Sequence, residues 1–143
     1  MANAYNSGME GVADQTIDWV SDTINCVLLV TGTPLFDATN ATMTAVLAEP
    51  NTECSASGYS RTALAATKSV ALNGNTVEFK CGDTTFATLE TGETIYAAVV
   101  VKYVDGAGGD IPISYHDTND LATNGSDIVF NPTSGVCWTI VNA

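Results

Sequence analysis

A chain of 143 residues with 45% hydrophobic content can bury a sizeable core as one domain, and it needs neither a metal nor disulfides to fold. Sixteen acidic residues face four basic ones, Arg61, Lys68, Lys80 and Lys102, for a formal net charge of −12. Such a surface repels phosphate backbones and anionic lipid, so neither nucleic acid nor a membrane is an expected partner, whereas a basic or mixed protein surface is.

The opening, MANAYNSGMEGVADQTIDWV, has no basic region followed by an apolar run, and no apolar stretch reaches the length of a membrane span. The expectation is a protein made in a cytosol. Residues 4–15 predict a short helix with Tyr5, Met9 and Val12 on one face, weakened by Gly8 and Gly11. The pattern then changes to period two. Ile17 to Trp19 reads as a brief extended piece, and TINCVLLV (23–30) as a strand apolar on both faces. Residues 31–60 form an irregular excursion punctuated by Gly32, Pro34, Pro50 and Gly58, with a helical turn or two at MTAVLA (43–48). A long excursion of this kind is a candidate contact surface, or else a passive surface loop.

From residue 61 the chain reads as successive strands. RTALAATKSVAL (61–72) ends at Asn73-Gly74, a tight-turn signal, and TVEFKC (76–81) alternates with Val77, Phe79 and Cys81 inward. TTFATL (84–89) follows. TIYAAVVVKYV (94–104) is apolar on both faces and should be central. IPISYH (111–116), DIVF (127–130) and GVCWTIV (135–141) complete the set, the last with Val136, Trp138 and Ile140 sharing a face. The predicted fold over 1–143 is one mainly β domain: an antiparallel β-sandwich or partly closed, jelly-roll-like barrel with a short N-terminal helix.

Little in the chain asks for chemistry. Ser114, His116 and Asp117 contain triad residue types, but no nucleophile-elbow pattern accompanies them, and a solvent-facing strand end is the plainer reading. Asp105, Asp110, Asp117 and Asp120 could gather round a loop cation. The EF-hand pattern beginning at Asp117 nevertheless fails, with Ala122 where glycine is required and Ile128 at the closing glutamate position. The sequons at Asn40 and Asn124 read as chance matches without a secretory signal. No phosphate loop, Walker sequence or dinucleotide fingerprint occurs, so the expectation is a non-enzyme with no catalytic, cofactor-binding or metal residues.

The cysteines, Cys26, Cys54, Cys81 and Cys137, form no CxxC pair, and His116 is the only histidine, so zinc spacing is absent. A reducing cytosol favours free, partly buried thiols over bridges; were they bridged, four cysteines would allow three pairings among which the sequence does not choose.

Three stretches carry a family likeness. The opening MANAYNSGMEGVADQTIDWVSDTINCVLLV, the middle GYSRTALAATKSVAL, and the second half from TTFATLETGETIYAAVVVKYVDG through IPISYHDTND to NGSDIVFNPTSGVCWTIV resemble, in order and spacing, small virion structural proteins of tailed bacteriophages. The likeness omits 31–57. It implies a multicopy head decoration, or cement, protein on the outer capsid surface, held in the host cytoplasm before assembly. Its implied partners are the major capsid protein and further copies of itself, for example in a homotrimer. A tail, neck or baseplate adaptor is the alternative within that group. Outside it stand a carbohydrate-binding β-sandwich, with Tyr59, Tyr115 or Trp19 stacking on sugars, and a hydrolase using His116. Gly8 and Met9 depart from the group's usual basic or larger apolar residue, and Cys26 and Cys137 are unusual in it, so partner contacts at those positions are expected to differ.

Overall fold

Alternating and doubly apolar runs dominate the second half of the chain, and the computed structural model, which describes residues 2–64 and 67–141, turns them into antiparallel sheets. The elements in order are β1 (Ala2–Ala4), α1 (Asn6–Ala13), β2 (Ile24–Leu29), α2 (Met43–Ala48), β3 (Thr62–Ala63), β4 (Ser69–Asn73) and β5 (Thr76–Lys80). After them come β6 (Thr84–Phe86), β7 (Thr94–Lys102), β8 (Ile111–Ala122), β9 (Ile128–Phe130), a 3-10 turn (Thr133–Gly135) and β10 (Val136–Val141). The central sheet has the order β1-β8-β7-β2-β3; a second has β10-β5-β4, and β6 pairs with β9 alone. The described strands form no closed barrel.

β7 lies between β2 and β8, as its two apolar faces require, and Ala97 to Val101 are all buried. One face of the central sheet (Ile24, Cys26, Leu28, Ala98, Val100, Ile113) packs on Phe79 and Trp138 of the second sheet, on Phe86 and Phe130, and on Ile17 and Trp19. Trp138 stacks on Phe79 at 4.1 Å, and Trp19 meets both rings edge-on while its indole N–H donates to the Lys80 carbonyl at 2.9 Å. Each large side chain buried here contributes about 1.5–3 kcal/mol.

The other face (Val27, Leu29, Ala97, Val99, Val101, Tyr115) is covered by Met43 and Val46 of α2, by Tyr5, and by Phe36 and Leu47. The 31–60 excursion is therefore not a free contact loop: its residues 36–47 form a lid on the second face, while Cys54, Ala56 and Tyr59 pack into the core on the first. Thr42 caps α2 by accepting from the Ala45 N–H, and Asn51 staples the lid's two arms through bonds to the Leu35 backbone and the Val46 carbonyl.

Several boundaries depart from the sequence pattern. The helix is shorter than 4–15, and its buried residues are Gly8 and Gly11, while Met9 is exposed. A Cβ on Gly8 would stand 2.7 Å from the Ile113 Cα; the glycine is what lets α1 lie on β8. Ala2 to Ala4 form a strand on β8, which takes Ala4 out of the predicted helix. The 61–72 run breaks into β3 and β4, with Ala65 and Ala66 outside the described residues. β6 stops at Phe86, and Ile17 to Trp19 forms no strand. The predicted tight turn is present but falls one residue later: Asn73 still pairs with Thr76, and Gly74, at φ +60°, and Asn75 join β4 to β5. β8 runs six residues past His116, where the predicted strand ends, through Asp117 and Asp120, which read as loop residues.

Candidate functional site

Because β8 continues, His116 sits mid-strand opposite Ala98, half-buried and edge-on to Phe130 at 5.0 Å, not at a solvent-facing strand end. Ser114 Oγ and His116 Nε2 are 3.0 Å apart on one strand face. Burial pushes the imidazole down to about 4, so it is neutral and weakly basic near pH 7. Ser114 is wholly buried, and Asp117 faces away from the pair, accepting from the Tyr115 hydroxyl at 3.2 Å. The structure thus brings Ser114 and His116 together and leaves Asp117 out.

The acidic loop residues are separated likewise. Asp110 is 0% exposed, and its Oδ1 accepts N–H bonds from Val104, Asp105 and Gly106 at 2.8, 3.1 and 3.0 Å. Its Oδ2 meets the Arg61 guanidinium at 2.8 Å, and Arg61 also grips Glu53 bidentately at 2.8 and 2.7 Å. Tyr59 donates to Glu53 at 2.9 Å and accepts from the Leu28 N–H. Burial pushes the Asp110 carboxyl up, but the three backbone donors and Arg61 outweigh it and hold it below the usual carboxylate range. This network ties the excursion and β2 to the 105–110 loop. Asp105 closes its own turn onto Ala107 and Gly109, while Asp117 and Asp120 project from β8, and among the described residues no three His, Cys, Asp or Glu converge as metal ligands.

Cys81 and Cys137 are joined in a disulfide with Cα atoms 6.2 Å apart, which corrects the expectation of free thiols for this pair; Cys26 and Cys54 are free and buried. The cause is a β-bulge between Val136 and Trp138 in β10, which buries the adjacent side chains of Cys137 and Trp138 together. Strict alternation would have turned Cys137 away from the Trp138 face. Cys26 and Cys137 are both inaccessible, so neither touches a partner directly.

The aromatic residues considered for sugar stacking are not free platforms. Trp19 and Tyr115 are buried, and Tyr59 is half-buried and stacked on Phe86 at 6.0 Å.

Two surface properties remain. All four cations are engaged internally: Arg61 as above, Lys80 with Glu78 at 3.1 Å, Lys102 with Asp22 at 3.0 Å, and Lys68 with the Asp22 carbonyl. The outward charge is correspondingly acidic. The second property is apolar. Val70 and Leu72 of β4 pair in register with Phe79 and Val77 of β5, so they point to the core side of the second sheet. β4 is the outer strand, however, and overhangs the core: Val70 is 49% and Leu72 78% exposed.

No protein-family profile matches the chain, and neither a curated protein nor a solved structure does.

Proposed function

We propose that this protein is a multicopy structural component of a tailed-phage particle that decorates and stabilises the outer surface of the capsid as a homo-oligomer. The observation that carries the reading is the β4 overhang: an outer strand with no second partner among the described residues, its Val70 and Leu72 turned to the inner side of its sheet and left in water. An edge of this kind is an aggregation hazard unless a neighbouring subunit covers it. The resemblance of the opening, middle and second-half segments to virion proteins supplies the biological setting. The acidic exterior, with its cations tied up internally, suits attachment to a protein shell rather than to packaged nucleic acid. Many weak contacts, one set per copy, add by avidity into a firm coat.

Quantitative gel analysis of purified particles tests this. A copy number comparable to that of the major capsid protein is expected; a single ring's worth of copies moves the protein to the tail, neck or baseplate, and absence from particles refutes the reading.

A further inference from the structure

We propose that a groove between β8 and β10 is a docking site for an extended, lysine- or arginine-bearing polypeptide segment of another protein, which adds as a strand beside β8. The inference does not depend on the virion reading. On this side the central sheet ends in the short β1, which covers the outer edge of β8 only over Ser114 to His116. Beyond His116, β8 continues to Ala122, and among the described residues no strand pairs with it on that side. The facing wall is β10, the outer strand of the second sheet, with no strand paired on its own outer edge among the described residues. Between these two edges, and lined also by Val129 to Thr133, lies a cavity of about 630 Å³, with Ala2 of β1 in its lining. β1 already occupies the head of this gap as a strand, bonded to β8 and packed against β10. The groove prolongs the path of that strand.

Its walls suit a peptide better than a compact molecule. Six residues of β8, Asp117 to Ala122, run along one side, an edge about 20 Å long. A bulge sets Thr118, Asn119 and Asp120 opposite Tyr96 alone, swelling this wall outward. Leu121 and Val129 are 41% and 46% exposed and offer apolar contacts for alternate side chains. The Trp138 indole N–H and the Thr118 hydroxyl belong to residues in the lining and are buried without hydrogen-bond partners among the described residues.

Charge selects the occupant. Among the described residues, Asp117 is the one charged residue in the lining, and no Lys or Arg lies there. With a formal charge of −12 on each chain, a second copy meets like charge there, whereas a basic segment meets its complement.

The test is amide-resolved NMR titration of the intact chain with a short synthetic peptide alternating lysine with valine, and with its glutamate counterpart. The lysine peptide is expected to shift amides of 117–122 and Val136–Val141, and the glutamate peptide to bind at least about tenfold more weakly. Leu121→Lys and Thr139→Lys place a cation on either wall at exposed positions, so the fold tolerates both. Each should weaken the lysine peptide by about tenfold and narrow the difference between the two peptides. Equal affinity for both peptides, shifts confined to another surface such as β4, or affinity unchanged in both variants overturns the proposal. Concentration-dependent self-association that shifts the same amides without peptide overturns the choice of occupant in favour of a second copy.

Discussion

Replacing Arg61 with Met removes the only cation beside a carboxylate that has no access to water. Asp110 is 0% exposed, and the Arg61 side chain is itself only 10% exposed, so the aqueous screening that makes surface ion pairs nearly worthless is absent here. Methionine keeps most of the apolar stem, which leaves loss of the charge as the main effect. Glu53 is partly exposed and can rehydrate; Asp110 cannot. Breaking a buried pair by deleting one partner costs about 3–5 kcal/mol, and that loss is expected in urea unfolding at pH 7. The pH dependence is more discriminating. Because the folded Asp110 carboxyl is held below its unfolded value near 3.9, its stabilisation is full above that pH and is lost as pH falls through the folded value. Without Arg61 that depression shrinks, so the gap between wild type and Arg61→Met should narrow as the pH drops below about 4. Asp110→Asn completes the cycle: Asn Oδ1 still accepts the three N–H bonds but turns an amide toward the guanidinium. Its cost should therefore fall by about 2 kcal/mol in the Arg61→Met background. Additivity of the two changes within about 0.5 kcal/mol would refute the claim that this pair pins the excursion to the 105–110 loop.

Four further outcomes follow from the packing. Thiol titration should count two free thiols after unfolding without reductant and four with it, and native Cys54, whose thiol burial pushes up to about 12, should react slowly. Cys81→Ala with Cys137→Ala opens a loop with a sequence separation of 56 and should lower stability by about 4 kcal/mol, read from the urea midpoint. Gly8→Ala forces a Cβ to 2.7 Å from the Ile113 backbone and should cost about 1–3 kcal/mol, whereas an alanine at exposed Asn75 changes little. Since the His116 pKa is about 4 folded against 6.5 ordinarily, the unfolded chain binds more protons between those values. Stability should fall as pH drops from 6.5 toward 4, a slope that His116→Gln flattens in pH-resolved denaturation.

Most of the fold was legible because two periodicities rarely mislead: β5 alternates cleanly, and β7 is apolar on both faces and lies at the centre of its sheet. Reading failed where a feature depends on what lies across the chain. Met9 looks like the face of α1, but it is Gly8 that permits contact with Ile113. The Asp-Thr-Asn-Asp run has turn composition, yet it continues β8, with a bulge absorbing its extra residues. The Cys81–Cys137 bridge was hidden by another bulge, since period two cannot register an inserted residue. The excursion looked like loop because Phe36, Met43 and Val46 cover a sheet face that only the assembled fold reveals. The groove beside β8 lies between strands remote in sequence, and no local pattern announces it.

The proposed place on the outer surface of a virus head is addressed directly by electron microscopy of intact particles labelled with an antibody to this chain. Label distributed over the whole head, and reduced on particles assembled with Leu72→Ser, is what the account predicts. Label confined to the tail or neck, or intact particles bearing none, would contradict it.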